Sequence, residues 1–398
     1  MNLSRIGLAG AALFALAACE QHSSVMAAGG PLETANDFRV LAPIESGNLL
    51  LFPVVRANGK SPGATPFLTL DEGIKSGQVE VTEAGKVRGL VRPRGSRPAV
   101  ENYGGDQVNT LVLVNNSNQP LLLLAGEIVT GGKQDRVIAK DRIVPAGGDP
   151  IDLSVFCIEP GRWTESSAKF GAAAKGSVGS FMVQPTVRQE AMVAKNQQSV
   201  WDSVRGTISQ MAAAAPAVVG QMNASPYAEL RPLATTSYAK AMQDSNVSAK
   251  VDEAAAPVMK ARDQVLVRLR EEHAIGVVVA VRGEIVWADL FAGTELLSRY
   301  WIKLVRSYAA ESLTEATEGE THSAPTIAEA QHFLDAPTGG TESSEGEVGI
   351  YRYRELKSGG TETFVLESLL PATGYDVHIS KLKLKGEERR MKPQIMVR

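Results

Sequence analysis

The chain has 398 residues, 44% of them hydrophobic and 21% charged, with a formal net charge of −3. That composition can build a sizeable core and argues against a disordered chain, while the mildly acidic balance argues against a non-specific nucleic-acid binder. No apolar run is long enough to cross a bilayer as a helix.

The N-terminus carries Arg5, an apolar stretch over 6–16, and then Leu16-Ala17-Ala18-Cys19. This order reads as a bacterial lipoprotein signal: a charged start, a short apolar region and small residues before an acceptor cysteine. An ordinary cleaved signal followed by a chance cysteine is the alternative. The lipoprotein reading removes residues 1–18 and acylates Cys19, so the mature protein is extracytoplasmic and its first partner is the lipid membrane. Two or three chains hold firmly, because each buried methylene contributes ~0.8 kcal/mol. Glu20, rather than an aspartate, favours the outer membrane where the cell has one. Residues 19–37, with Gln21, Ser23, Ser24, Gly29 and Gly30, read as a flexible tether. Cys157 is then the one free thiol, which excludes an intramolecular disulfide.

Residues 38–184 predict β-structure. Short apolar or alternating runs at Asn48–Val54, Thr110–Val114, Leu121–Leu124 and Asp152–Ile158 are bounded by turn residues such as Asn115–Asn118. Within them, Thr69, Asp71 and Glu72 open a short helix that Gly77 closes. Residues 185–272 turn helical, with one helix over Arg188–Met211 and another over Ser248–Glu272 that Pro257 either kinks or starts. Residues 273–386 are mixed: a hairpin of Ile275–Ala280 and Ile285–Phe291 around Arg282-Gly283, and a helix over Leu296–Tyr308. A polar linker at 311–322, a helix over Thr326–Leu334, a second linker at Thr338–Gly346 and strands at Val348–Leu356 and Gly374–Leu384 follow. Residues 387–398 form a tail. The expected architecture is α+β, an antiparallel β-sandwich or barrel-like core with a helical segment in the middle of the chain, built as one composite domain over 38–386.

Two constellations could carry chemistry. In the first, Gly131 and Gly132 offer close backbone approach to an anion, and Lys133, Gln134 and Arg136 supply donors and charge. A single strand over Arg136–Ile143 would put Arg136, Ile138, Lys140 and Arg142 on one face, a basic ladder suited to phosphate or carboxylate. A solvated face with surface ion pairs is the alternative. The spacing is not that of a nucleotide-binding P-loop. In the second constellation Val155, Cys157 and Glu159 share one face, and Arg162 and Trp163 follow at the strand exit. A nucleophilic cysteine needs a nearby cation, histidine or helix start, and His273, His322, His332 and His378 approach only through folding. A buried small hydrophobe is the other reading of Cys157. Metal-ligand spacings are absent, no cofactor is expected, and Ser177 does not sit in a nucleophile elbow.

The run GEIVTGGKQDRVIAKDRIVPAG (126–147), then DLSVFCIEPGRW (152–163), GVVVAVRGEIVWADLF (276–291), VGIYRYR (348–354) and YDVHISKL (375–382) resembles the ARG and rhodanese-phosphatase-superfamily-associated protein domain, a bacterial family without an established activity. The resemblance spans roughly 38–386 and implies one composite domain. By context it implies a role near nucleotide or ADP-ribose metabolism, an associational warrant only. Its motif positions here are Glu127, Gly132, Lys133, Gln134, Arg136, Cys157, Glu159, Gly161, Arg162 and Trp163, and it brings no assigned catalytic residue.

Two functions are therefore expected to compete. One is an anchored module that binds a small anionic ligand or a protein partner through Gly131, Gly132, Lys133, Gln134, Arg136 and Arg162. The other is an enzyme acting on a phosphate- or ADP-ribose-like substrate, with Glu127 or Glu159 as base and with or without Cys157. Convergence of Glu127, Cys157, Glu159 and Arg136 in one pocket would favour the enzyme.

Overall fold

The computed structural model describes residues 37–57, 67–89, 109–147, 149–173, 180–215, 233–260, 262–314, 323–336, 340–371 and 374–384. The predicted signal, Cys19, most of the tether, Ser177, His322 and the tail at 387–398 lie outside the described residues. All that is described belongs to one compact unit, residues 33–398.

The run LLLFPVVR becomes strand β3 (Leu49–Arg56), buried nearly throughout because it is wedged inside a sheet. Its neighbours on one side are β1 (Phe38–Val40) and β2 (Ile44–Ser46), and on the other β13 (Ala274–Val281). The antiparallel order continues through β14 (Glu284–Phe291), β18 (Asp376–Lys383), β17 (Thr361–Ser368), β16 (Tyr351–Ser358) and β15 (Thr341–Glu347). The β13–β14 turn is the predicted Arg282-Gly283 pair, both with positive φ (52° and 83°), as a two-residue hairpin requires.

A second layer of sheet is barrel-like. Strands β12 (Gly171–Ala172), β8 (Ile128–Thr130), β9 (Arg136–Ile138), β11 (Ile151–Cys157), β6 (Thr110–Asn115) and β5 (Val79–Glu83) follow one another. The Phe170 N–H donates to the Val81 carbonyl at 2.9 Å, which draws the β12 and β5 ends together and nearly closes the sheet. Its interior is apolar, with Val81, Leu111, Leu113, Ile138, Leu153, Val155 and Phe170 packed together. A small sheet of β10 (Arg142–Val144), β7 (Leu121–Leu123) and β4 (Leu68–Thr69) lies beside it, β4 running parallel to β7. The fold is α+β, as expected.

Local signals placed two of the short helices, though not α4 (Tyr238–Gln243). Thr69 and Glu72 form a capping box at α1 (Leu70–Lys75), and Thr326 and Glu329 another at α8 (Ile327–Asp335). The long helices differ from expectation. The first is interrupted: α2 (Pro185–Gln189) runs into a π turn over Glu190–Ala194, Lys195 turns left-handed, and Asn196 caps a fresh helix, α3 (Gln197–Ala214). After α4 (Tyr238–Gln243), the second expected helix becomes α5 (Ser245–Lys260) and α6 (Arg262–Glu271), with Pro257 inside α5 rather than at its start. Helix α7 (Thr294–Thr314) extends past Tyr308, and Glu311, expected in a linker, is buried. The expected linker at 338–346 instead contains most of β15, an edge strand whose exposed polar residues hide the strand period. The single strand expected over Arg136–Ile143 is divided between β9 and β10, which belong to different sheets, so the basic ladder does not form.

Candidate functional site

The Gly131–Asp135 loop meets the Glu159–Trp163 corner. Gly132 needs to be glycine: its φ is +49°, and a Cβ there would come within 2.2 Å of the Phe170 ring. The amides expected to face an anion hold acceptors from the chain itself. Gly131 N–H donates to Asp135 Oδ1 at 3.0 Å, Gly132 N–H to Ser167 Oγ at 3.2 Å and Lys133 N–H to Glu83 Oε1 at 2.9 Å. Gln134 is buried and donates to the Glu159 carbonyl at 3.1 Å.

Glu159 is the hub of the corner. Its carboxylate lies 2.5 Å from Arg162 and 3.0 Å from Lys240, and accepts the Asp135 N–H at 3.1 Å. Burial alone would raise its pKa, but these donors hold it below the ordinary carboxylate range. Burial pushes Asp135 up, against a 2.7 Å hydrogen bond from Ser237. Arg162 also donates to the carbonyls of Gly132 (3.0 Å) and Thr164 (2.7 Å), so its guanidinium is fixed from several sides. Beside it Trp163 is 45% exposed, with Lys133 Nζ 5.0 Å and Arg136 Cζ 6.0 Å from its ring centre. Trp163 is the exposed aromatic among the large exposed hydrophobics described; Val267, Ile327, Val348 and Leu369 are aliphatic.

Cys157 lies next to this corner but inside it. Its backbone is clamped by Gln197, which donates to the Cys157 carbonyl and accepts its N–H, both at 2.9 Å. The Glu159 N–H points at Sγ from 3.4 Å. Burial pushes the thiol above its ordinary pKa, the opposite of what a nucleophile needs.

Glu127 belongs to a different neighbourhood. It is fully buried, lies 2.6 Å from Lys303 Nζ and accepts the Leu124 N–H at 2.8 Å. Lys303 also reaches Asp71 at 2.9 Å, so one cation serves two acids. Burial raises Glu127. The same burial would lower Lys303, but the charges of Glu127 and Asp71 outweigh it and keep the ammonium charged. The structure thus gathers Cys157, Glu159, Arg136 and Arg162 at one corner and sends Glu127 elsewhere. The other expected ladder members are dispersed too: Lys140 pairs with Glu345 at 2.7 Å, and Arg142 with Glu347 at 3.4 Å.

A buried charged network escaped the sequence reading. His378 Nδ1 lies 2.6 Å from Asp141 Oδ2, and its Nε2 lies 3.2 Å from Asp289 Oδ1. Asp289 accepts Arg188 at 2.8 Å, Ser380 at 2.8 Å and the Tyr308 hydroxyl, while Asp141 accepts the Ala125 N–H at 2.7 Å. Burial would lower His378, but Asp141 and Asp289 raise it to about 9. Asp289 is held well below the carboxylate range, Arg188 and His378 overcoming its burial. Two cations balance two acids with no exposed face, and the network ties the loop between β9 and β10 to β14 and β18. The one hint was Asp289, an acid set among the apolar residues at the buried end of β14.

Among the described residues no group of three or more His, Cys, Asp or Glu is placed to hold a metal ion, and no helix is long and apolar enough to cross a membrane. No curated protein and no solved structure shows significant similarity to the chain. The sequence model of one family matches residues 37–382, a span that takes in the Gly131 loop, the Glu159 corner and the buried network alike. The chain belongs to the ARG and Rhodanese-Phosphatase-superfamily-associated Protein domain family.

Proposed function

We propose that the protein is a lipid-anchored, extracytoplasmic binding module whose Lys133, Arg162 and Trp163 surface receives an anionic ligand. The exposed Trp163 ring, bordered by cations, carries this reading. An aromatic face gives a flat ligand a stacking platform, and the cation–ring attraction, roughly 0.5–1 kcal/mol at an exposed site, holds Lys133 against it. Arg162 is pre-organised by Glu159 and two carbonyls, so little side-chain freedom is lost when it meets a phosphate or carboxylate. A phosphate-bearing, ring-containing molecule of the ADP-ribose kind combines both features. The enzymatic alternative is less favoured, because Glu127 lies apart from Cys157, Glu159 and Arg136, and burial raises the Cys157 thiol above its ordinary pKa.

Thermal denaturation of the full chain with ADP-ribose, pyrophosphate or inorganic phosphate tests the binding. A midpoint that rises with ligand concentration is expected, and the rise should vanish in Lys133→Glu and in Trp163→Ala. No rise with any of the three, or a rise that both variants keep, overturns the reading. Mass spectrometry of the mature N-terminus tests the anchor separately: an acylated Cys19 supports it, and an intact unmodified Met1 refutes it.

A further inference from the structure

The large sheet ends in β1 and β2 on one side and in β15 on the other, and the two edges are finished differently. At β1 the Gln331 side chain of α8 stands in for a further strand: its amide accepts the Val40 N–H at 2.9 Å and donates to the Phe38 carbonyl at 3.1 Å. At β15 the described side chains that bond to the strand, Lys140 and Arg142, meet its carboxylates and not its backbone. Residues 341–346 are all exposed, and Glu347 is half-buried. Such an edge offers a row of N–H and C=O groups to another strand.

Charges on an edge ordinarily repel a newcomer. Here Lys140 lies 2.7 Å from Glu345 and Arg142 lies 3.4 Å from Glu347, so two of the three acids of β15 are neutralised from within the chain. The sequence TESSEGE also complements itself. In the antiparallel register centred on Ser344, all seven residues overlap and no acid meets an acid: Glu347 faces Thr341, Glu345 faces Ser343, and Glu342 faces Gly346. A shift of one residue either way sets Glu342 against Glu345 or Glu347. Just past the strand, Val348, 98% exposed, falls opposite Gly340, which has no side chain to obstruct it.

We propose that β15 pairs with β15 of a second copy of the chain, antiparallel about a two-fold axis at Ser344, so that the two large sheets join edge to edge. Seven residues a side is well below the roughly 20–30 of a stable complex, so the pairing depends on concentration.

The test uses the full chain carrying Cys19→Ser, which leaves the buried Cys157 as its native thiol. Residues directly opposite in an antiparallel pair stand about 4.5–5.5 Å apart, within the span of a disulfide. Ser344→Cys should therefore oxidise to a covalent dimer. Thr341→Cys, an equally exposed control whose two copies would lie about 20 Å apart, should do so at least about tenfold more slowly. In sedimentation the mean mass should rise with concentration up to about 1 mM. Lys140→Glu, which adds an acid where one was neutralised, should suppress that rise. Equal cross-linking at both positions overturns the proposal, as does a rise that Lys140→Glu leaves unchanged. A chain that stays monomeric and cross-links at neither position leaves the edge to a different protein and overturns it too.

Discussion

The cluster around Asp289 and the cluster around Glu159 use the same residue types to opposite ends. Both place a carboxylate under an arginine and a second cation, and both lie near a tryptophan. Around Asp289 every group is sealed, and Arg188 lies over the buried Trp287 ring at 4.7 Å. Around Glu159 the carboxylate is buried, but Lys240 is exposed, Arg162 reaches solvent, and Trp163 turns its ring outward. Access rather than composition separates them. The first ties the loop between β9 and β10 to β14 and β18, and the second leaves a face open to solvent.

The largest effect should come from breaking the sealed cluster. Arg188→Met leaves Asp289 beside a single cation, and removal of one partner from a buried pair costs about 3–5 kcal/mol. Urea denaturation should show that loss. A loss below about 1 kcal/mol would make the two clusters energetically alike and erase the contrast.

Acidity sharpens the contrast by a smaller step. With its folded pKa at about 9 against the ordinary 6.5, His378 contributes stability that is complete below pH 6.5 and fades as pH climbs to about 9. The stability difference between the wild type and Asp141→Asn/His378→Gln should therefore shrink across that interval. A difference that is flat with pH would mean that His378 is neutral in the native protein.

The smallest effect on folding belongs to the open cluster. Trp163→Ala should change stability by no more than about 0.5 kcal/mol, as surface substitutions do, while removing the response to anionic ligands. A large stability loss there would recast the exposed ring as a structural corner.

What could be read in advance was what neighbours in sequence decide. The Arg282-Gly283 turn needs two residues with positive φ, and the Thr69/Glu72 and Thr326/Glu329 boxes need a spacing of three. Cys157 and Glu159 lie together because only Ile158 separates them, at the bend where β11 ends. Glu127 does not join them because Lys303, 176 positions away, holds it elsewhere. The Asp289 network has the same origin: Arg188 is 101 positions from its acid, and His378 is 237 from Asp141. The π turn before Lys195 and the acidic edge strand β15 carry no periodic signature, so helix and linker were the natural readings.

The position of β3 between β1 and β13 governs how the polypeptide can be made. Its inner neighbour begins at Ala274, so a nascent chain keeps one side of Leu49–Arg56 bare until more than two hundred further residues have emerged. Such long-range closure slows folding and exposes sticky intermediates. Products cut short before that point should aggregate or be degraded, and a holdase that shields the early strand is the help this topology would demand.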